Sequence, residues 1–315
     1  MGALPPLLVA GGGVGGLGVG GGPPPPLLVA GILALGAVVL VGPGPAWVAR
    51  WGFLYRVPRA AVVLWQAGAV AALISIFGVA WLLSAATWSQ ESSVAWWDWA
   101  VTGTVVLFAG LVAGRLVWAL VGVIASTGAR RRRHRDLVDL LASKTSADVA
   151  GRLSELRVLA EARPLAYCLP GLWQPRVVLS AGTLAVLSPM EIAAVLAHEK
   201  SHLHARHDLV LATFDAVHQA FHHAIRSDLP AQQARLLVEM LADDAAVRAV
   251  GPEPLARALV ALAESVVPTE ALGAAEGSTC LRIERLTHPA SALLAAAVYG
   301  LAVIVVAAPL LALVI

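Results

Sequence analysis

His198-Glu199-Lys200-Ser201-His202 places two imidazoles four residues apart, with a carboxylate beside the first. On an α-helix, side chains four apart stand on one face about a turn from each other, so both rings can reach a single cation. The adjacent Glu then reaches a water held on that cation. Zinc bound in this way brings its water toward neutral pKa while the carboxylate takes the proton, which is the chemistry of amide hydrolysis. The competing reading is a pair of surface histidines. The apolar run Ala193-Ala194-Val195-Leu196-Ala197 ahead of the motif belongs to a buried helix and favours the metal.

A hydrolytic zinc takes three protein ligands and keeps a fourth position open. The third ligand expected is Glu239 of Glu239-Met240-Leu241-Ala242-Asp243, on a helical stretch over 231–250. Asp243 shares its face and is placed to accept a hydrogen bond from a ligand histidine, fixing its tautomer. An acidic, solvated helix face is the competing reading for this pair. One zinc per chain is the cofactor these residues call for.

Other reactive side chains receive plainer readings. His204 points away from the His198/His202 face, toward solvent. His207 is read as structural, and Asp208 is held as the alternative candidate to orient a ligand histidine. His218 and His222 are four apart without a suitably placed Glu, so no second metal site is expected there, and His223 adds nothing to them. Cys168 and Cys280 are too few for a disulfide framework and read as buried or idle thiols.

The metal-binding helix needs a defined start, and Ser188-Pro189-Met190-Glu191 supplies one. Ser at the N-cap, Pro at the first helical position and Glu three residues on form a capping box. Ile192, Val195, Leu196 and Leu203 then form an apolar stripe at helical spacing. Upstream, 136–152 reads as a helix, and 157–160, 166–169 and 176–180 read as short strands between Pro and Gly turns. Arg176, Val177, Val178, Leu179 and Ser180 are expected to receive an extended peptide substrate along an exposed strand edge.

These elements sit in a chain unlike a soluble globule. Mean hydropathy over the 315 residues is +0.78, with 58% hydrophobic and 13% charged residues, where soluble domains carry about a quarter charged. Outside the window 127–289 the charged side chains are Arg50, Arg56, Arg59, Glu91, Asp98 and Arg115, and all nine histidines lie inside it. Residues 1–26, rich in Gly and Pro, are expected to be disordered. Apolar runs over 27–48, 60–85, 101–126 and 290–315 are each long enough for a helix crossing the roughly 30 Å hydrocarbon layer, the first being weakened by Pro43 and Pro45. The expected organisation is therefore three spans within 27–126, a catalytic α+β insert over 127–289 and a fourth span over 290–315.

Basic residues set the expected orientation. Arg50, Arg56 and Arg59 follow the first run, and 130–135 (RRRRHR) follows the third, whereas the loop 87–100 carries Glu91 and Asp98 and no Lys or Arg. By the positive-inside tendency that loop lies outside and the insert faces the cytoplasm of a bacterial-type inner membrane. Trp47, Trp51, Trp88, Trp96, Trp97 and Trp99 cluster near the expected interfaces. The run 130–135 is read as a topology and anionic-lipid anchor. With a net charge of +2, no direct nucleic-acid binding is expected. Arg115, mid-span, is read as structural, buried between helices or snorkelling.

The motifs in combination carry a resemblance. Residues 167–171 (YCLPG), 175–180 (PRVVLS), 191–209 (EIAAVLAHEKSHLHARHDL), 239–245 (EMLADDA) and 281–286 (LRIERL) resemble the membrane zinc metallopeptidases of the BlaR/MecR type, which are antirepressor regulatory proteins. The similarity implies a gluzincin-type domain with His198, His202 and Glu239 as zinc ligands and Glu199 as catalytic base. It also implies a protein or peptide substrate such as a small DNA-binding repressor. Receptors of this type carry an extracellular penicillin-binding domain after the last span, while this chain ends at Ile315 with the span. The signal is therefore expected to enter through 87–100, the spans or a partner protein. The expectation is an integral-membrane zinc endopeptidase that cleaves a cytoplasmic regulator, or itself, in signalling. Its rivals are an HtpX-like quality-control protease, through the shared E-x-x-A-D pattern, and a signalling protein that keeps zinc only as structure.

Overall fold

The computed structural model describes residues 25–88, 95–141, 156–171, 175–220, 227–265, 272–288 and 291–314. The expected disorder of 1–26 lies almost wholly outside these residues, as do the remainder of the helix expected over 136–152, the middle of the 87–100 loop, and His222 and His223. The described chain is mostly helical.

Pro26 opens helix α1 (Pro26–Val41), where its missing N–H is not needed, and the chain breaks at Gly42 before the short helix α2 (Pro43–Val48). The break divides the first apolar run: α1 has 16 residues, about 24 Å of rise, shorter than the hydrocarbon layer. A 3₁₀ turn (Gly52–Arg56) leads into α3 (Pro58–Trp88), and α4 runs from Trp96 to Leu141. Among the described residues, the helix Ala292–Val314 joins these as the third of three long and apolar enough to cross a membrane.

Helix α4 departs from expectation at its C-terminal end. The span and the start of the helix foreseen from 136 are one uninterrupted element of 46 residues. No Pro and only Gly128 interrupt 126–141, and Arg is a good helix former, so nothing stops the helix at the expected membrane surface.

Strands β1 (Leu156–Leu159), β2 (Ala166–Leu169) and β3 (Arg176–Ser180) form a sheet in the order β1-β3-β2, with β1 parallel and β2 antiparallel to β3. Side chains of β3 alternate as the pleat requires. Val177 and Leu179 pack with Leu156, Leu187, Val195 and Ala258, while Val178 packs with Leu169 and with Val138 of α4. The sheet is thus held between the α4 extension and a helical layer. This corrects the expected substrate strand. Arg176, Val177, Val178, Leu179 and Ser180 form the central strand, with both edges already paired and Val177 to Ser180 buried, so β3 has no edge to offer a peptide.

The helical layer consists of α5 (Ala181–Val186), α6 (Pro189–His204), α7 (His207–Ala220), α8 (Leu229–Val250), α9 (Pro252–Ser265) and α10 (Leu272–Leu286), followed by α11 (Ala292–Val314). Its largest apolar cluster is shared with the long apolar helices α3 and α11. Ala60, Ala61, Leu64 and Trp65 of α3 and Val298 and Ala302 of α11 pack with Phe214 of α7 and Ala231, Ala234, Leu237 and Met240 of α8. Small residues at these contacts let the backbones approach closely. Helix α7 lies along α4 through Ala212, Ala216 and Ala220 against Leu116, Ala119 and Val123. Two arginines fasten it: Arg131 donates to Asp208 at 2.7 Å, and Arg115 Nε donates to the Ala220 carbonyl at 2.7 Å. Arg115 of α4 therefore ties the last described turn of α7 to α4 through a backbone carbonyl.

Candidate metal centre

The capping box forms as its residues require. Ser188 Oγ accepts from the Glu191 amide at 3.4 Å, and the Glu191 carboxylate accepts from the Ser188 amide at 2.8 Å. This fixes the start of α6, and with it the face on which His198 and His202 emerge. Ala194 of α6 and Ala246 of α8 are fully buried in one cluster, so the two helices close tightly and bring Glu239 over the histidine pair.

The three candidate ligand atoms all lie within 4.8 Å of one another. His198 Nε2 and His202 Nε2 are 3.2 Å apart; Glu239 Oε2 is 3.3 Å from the first and Oε1 3.5 Å from the second. Ligands about 2.0–2.1 Å from a zinc in tetrahedral array sit about 3.3 Å from each other, so the two rings and the carboxylate lie at the spacing of a zinc site. The Glu239 side chain is 40% exposed, which leaves the site open on that side.

Behind the ligands lies a charged network. Asp243, with no exposed surface, holds Oδ1 3.0 Å from His198 Nδ1. Arg282 of α10 donates to it twice, from Nε to Oδ2 and from Nη2 to Oδ1, each at 2.7 Å. Arg282 Nη1 also lies 3.3 Å from Glu239 Oε2. Three residues on, Arg285 donates to Asp244 at 2.6 Å and to the Met240 carbonyl at 3.2 Å. Neither arginine was assigned a role from sequence. Their signal was a pair three apart on a helix, matched to the acidic pair Asp243-Asp244, but with no spacing to link them.

His202 has a different support. Arg206 adopts a left-handed backbone, φ 51°, uncommon for a residue with a side chain, and α7 begins one residue later. His207, 5% exposed, brings its Nδ1 to 3.0 Å from His202 Nδ1. Asp208 was expected to orient a ligand histidine and instead pairs with Arg131. Successive residues of a helix point about 100° apart, and His207 takes the direction of the metal site. His204 turns to the Lys200 carbonyl on an exposed surface, and His218 pairs with Asp228. Arg176 lies at 3.4 Å from Asp139 of α4.

The electrostatics follow from these partners. Burial opposes charge on His198, but Asp243 and Glu239 prevail and raise its pKa to about 9. Burial likewise resists ionisation of Glu239, yet His198 and Arg282 hold it ionised, well below the usual carboxylate range. Burial lowers His202 to about 4, against the attraction of Glu239. Burial raises the Glu199 carboxyl, against the opposing field of His198. Cys168 of β2 lies close enough to Glu199 for each to shift the other's ionisation.

The family model described as BlaR1 peptidase M56 matches residues 66–250, a stretch that contains α6, α7 and α8. No curated protein and no solved structure matches the chain.

Proposed function

The chain belongs to the BlaR1 peptidase M56 family, and from that premise we propose that it is an integral-membrane zinc endopeptidase acting on a cytoplasmic regulator, or on itself, in signalling. The observation that carries this reading is the zinc-site spacing of His198, His202 and Glu239 with Glu199 next in sequence to the first ligand.

His198, His202 and Glu239 would hold a zinc that, when bound, would supply polarisation of the scissile carbonyl and acidification of a water. Glu199 accepts the proton of the attacking water and returns it to the leaving amine. Its raised pKa brings the carboxyl nearer the pH at which both transfers are efficient. Asp243 fixes the ring of His198 and His207 that of His202, so both ligands keep their direction through the reaction.

The substrate edge is reassigned to β2. Among the described residues β2 is paired on one side, with β3, and it packs on α6, the helix that carries Glu199. A peptide added along 166–169 would present its backbone to the site in the manner of strand addition. Arg50, Arg56, Arg59 and the 130–135 run support a cytoplasmic placement of the centre. A small DNA-binding repressor fits such a substrate: it is cytoplasmic and would be read mainly through its backbone.

The test compares cells expressing wild type with cells expressing Glu199→Gln, cataloguing new cytoplasmic N-termini and assaying zinc in both purified proteins. The variant is expected to retain zinc and lose the cleavage. One or two substrates cut by wild type alone support the signalling reading, while many unrelated ones point to quality control. Zinc in both proteins with identical peptides overturns catalysis and leaves a structural zinc protein.

A further inference from the structure

The two oxygens of Glu239 are not equivalent. Oε1 faces His202 Nε2 at 3.5 Å, whereas Oε2 lies 3.3 Å from His198 Nε2 and also 3.3 Å from Arg282 Nη1. A carboxylate that ligates through both oxygens would occupy the position a hydrolytic zinc must keep open.

The guanidinium is well placed to prevent this. Its Nε and Nη2 are both engaged by Asp243 at 2.7 Å, and its side chain is 13% exposed. Because the group is planar and rigid, fixing two of its nitrogens fixes the direction of the third. That third nitrogen, Nη1, lies 3.3 Å from Oε2. We propose that Arg282 is a positioning residue that holds Glu239 to ligation through Oε1 alone, keeping the fourth metal position free for the substrate. This rests on reading His198, His202 and Glu239 as the zinc site. Lys, a point charge on a flexible stem, cannot grip Asp243 and reach Oε2 in a fixed geometry.

Arg285 provides an internal control. It ties the same helix to α8 through Asp244 and the Met240 carbonyl but contacts no candidate ligand. Full-length protein in detergent would be loaded with zinc for X-ray absorption and with cobalt(II) for visible spectroscopy, as wild type, Arg282→Lys and Arg285→Ala. Wild type is expected to be four-coordinate, with one carboxylate oxygen on the metal. Arg282→Lys is expected to become five-coordinate, lose cobalt absorption intensity, and bind zinc roughly 10–100-fold more weakly in chelator competition. Arg285→Ala is expected to melt at lower temperature with the wild-type spectrum.

A five-coordinate wild type overturns the proposal without recourse to any variant. So does an unchanged spectrum in Arg282→Lys, or an equal change in Arg285→Ala, which would make both arginines merely structural. A wild-type protein that takes up no zinc overturns instead the reading of the site itself.

Discussion

The two candidate ligand histidines are supported in opposite ways. Behind His198 stands Asp243, without exposed surface and gripped twice by Arg282. Behind His202 stands His207, a ring against a ring, at the head of a helix fastened to α4. The first support is ionic, buried and confined to α8 and α10. The second is neutral and continuous with a helix long and apolar enough to span a membrane. Rigidity of the metal site thus comes from the His198 side, and whatever adjusts the site can act from the His202 side with little electrostatic resistance.

Substitutions can break or sharpen this contrast. Asp243→Asn should have the largest effect, because it leaves Arg282 buried without its ionic partner. Loss of one member of such a pair costs about 3–5 kcal/mol, and zinc affinity should fall roughly 10–100-fold, read by thermal unfolding and metal competition. His207→Ala should be milder, about 1–3 kcal/mol for the unsatisfied partner it leaves, with zinc affinity reduced about tenfold. A larger loss of affinity for His207→Ala than for Asp243→Asn would invert the assignment of the rigid side. Arg131→Ala should matter least. Its pair with Asp208 is partly exposed, 30% and 12%, so thermal unfolding should register about 0–1 kcal/mol with zinc affinity unchanged. If it instead weakens zinc as much as His207→Ala does, the Arg131–Asp208 pair and His207 act as one unit at the head of α7.

The parts of this arrangement that could be read from the chain are those encoded locally. The capping box sets the start of α6, and four-residue spacing puts His198 with His202 and Glu239 with Asp243. The limits of β2 and β3 follow from short apolar runs between Pro and Gly. What escaped was non-local. The order β1-β3-β2 depends on a crossover that no local pattern specifies, and it turned the expected substrate edge into the centre of the sheet. Arg282 meets Asp243 across 39 residues. His207 displaced Asp208 because of a left-handed Arg206 that nothing in the spacing announces. Helix α4 was expected to end near the membrane surface because the composition changes there from apolar to basic, and composition is not a helix stop.

Forty-six residues of unbroken helix amount to a rod about 69 Å long, more than twice the hydrocarbon thickness. It touches α7 at Arg115 and Arg131, and it touches the sheet through His134 to Tyr167 at 3.1 Å and Arg135 to the Pro170 carbonyl. A rod of this kind carries torque as well as displacement, and its contacts are set by angular phase. One residue inserted between Arg115 and Arg131 would turn the far end by about 100°, so the two fastenings of α7 could no longer be made at once. Bending or twisting applied at the Trp96 end would arrive at the sheet as a change of angle, with no moving loop in between.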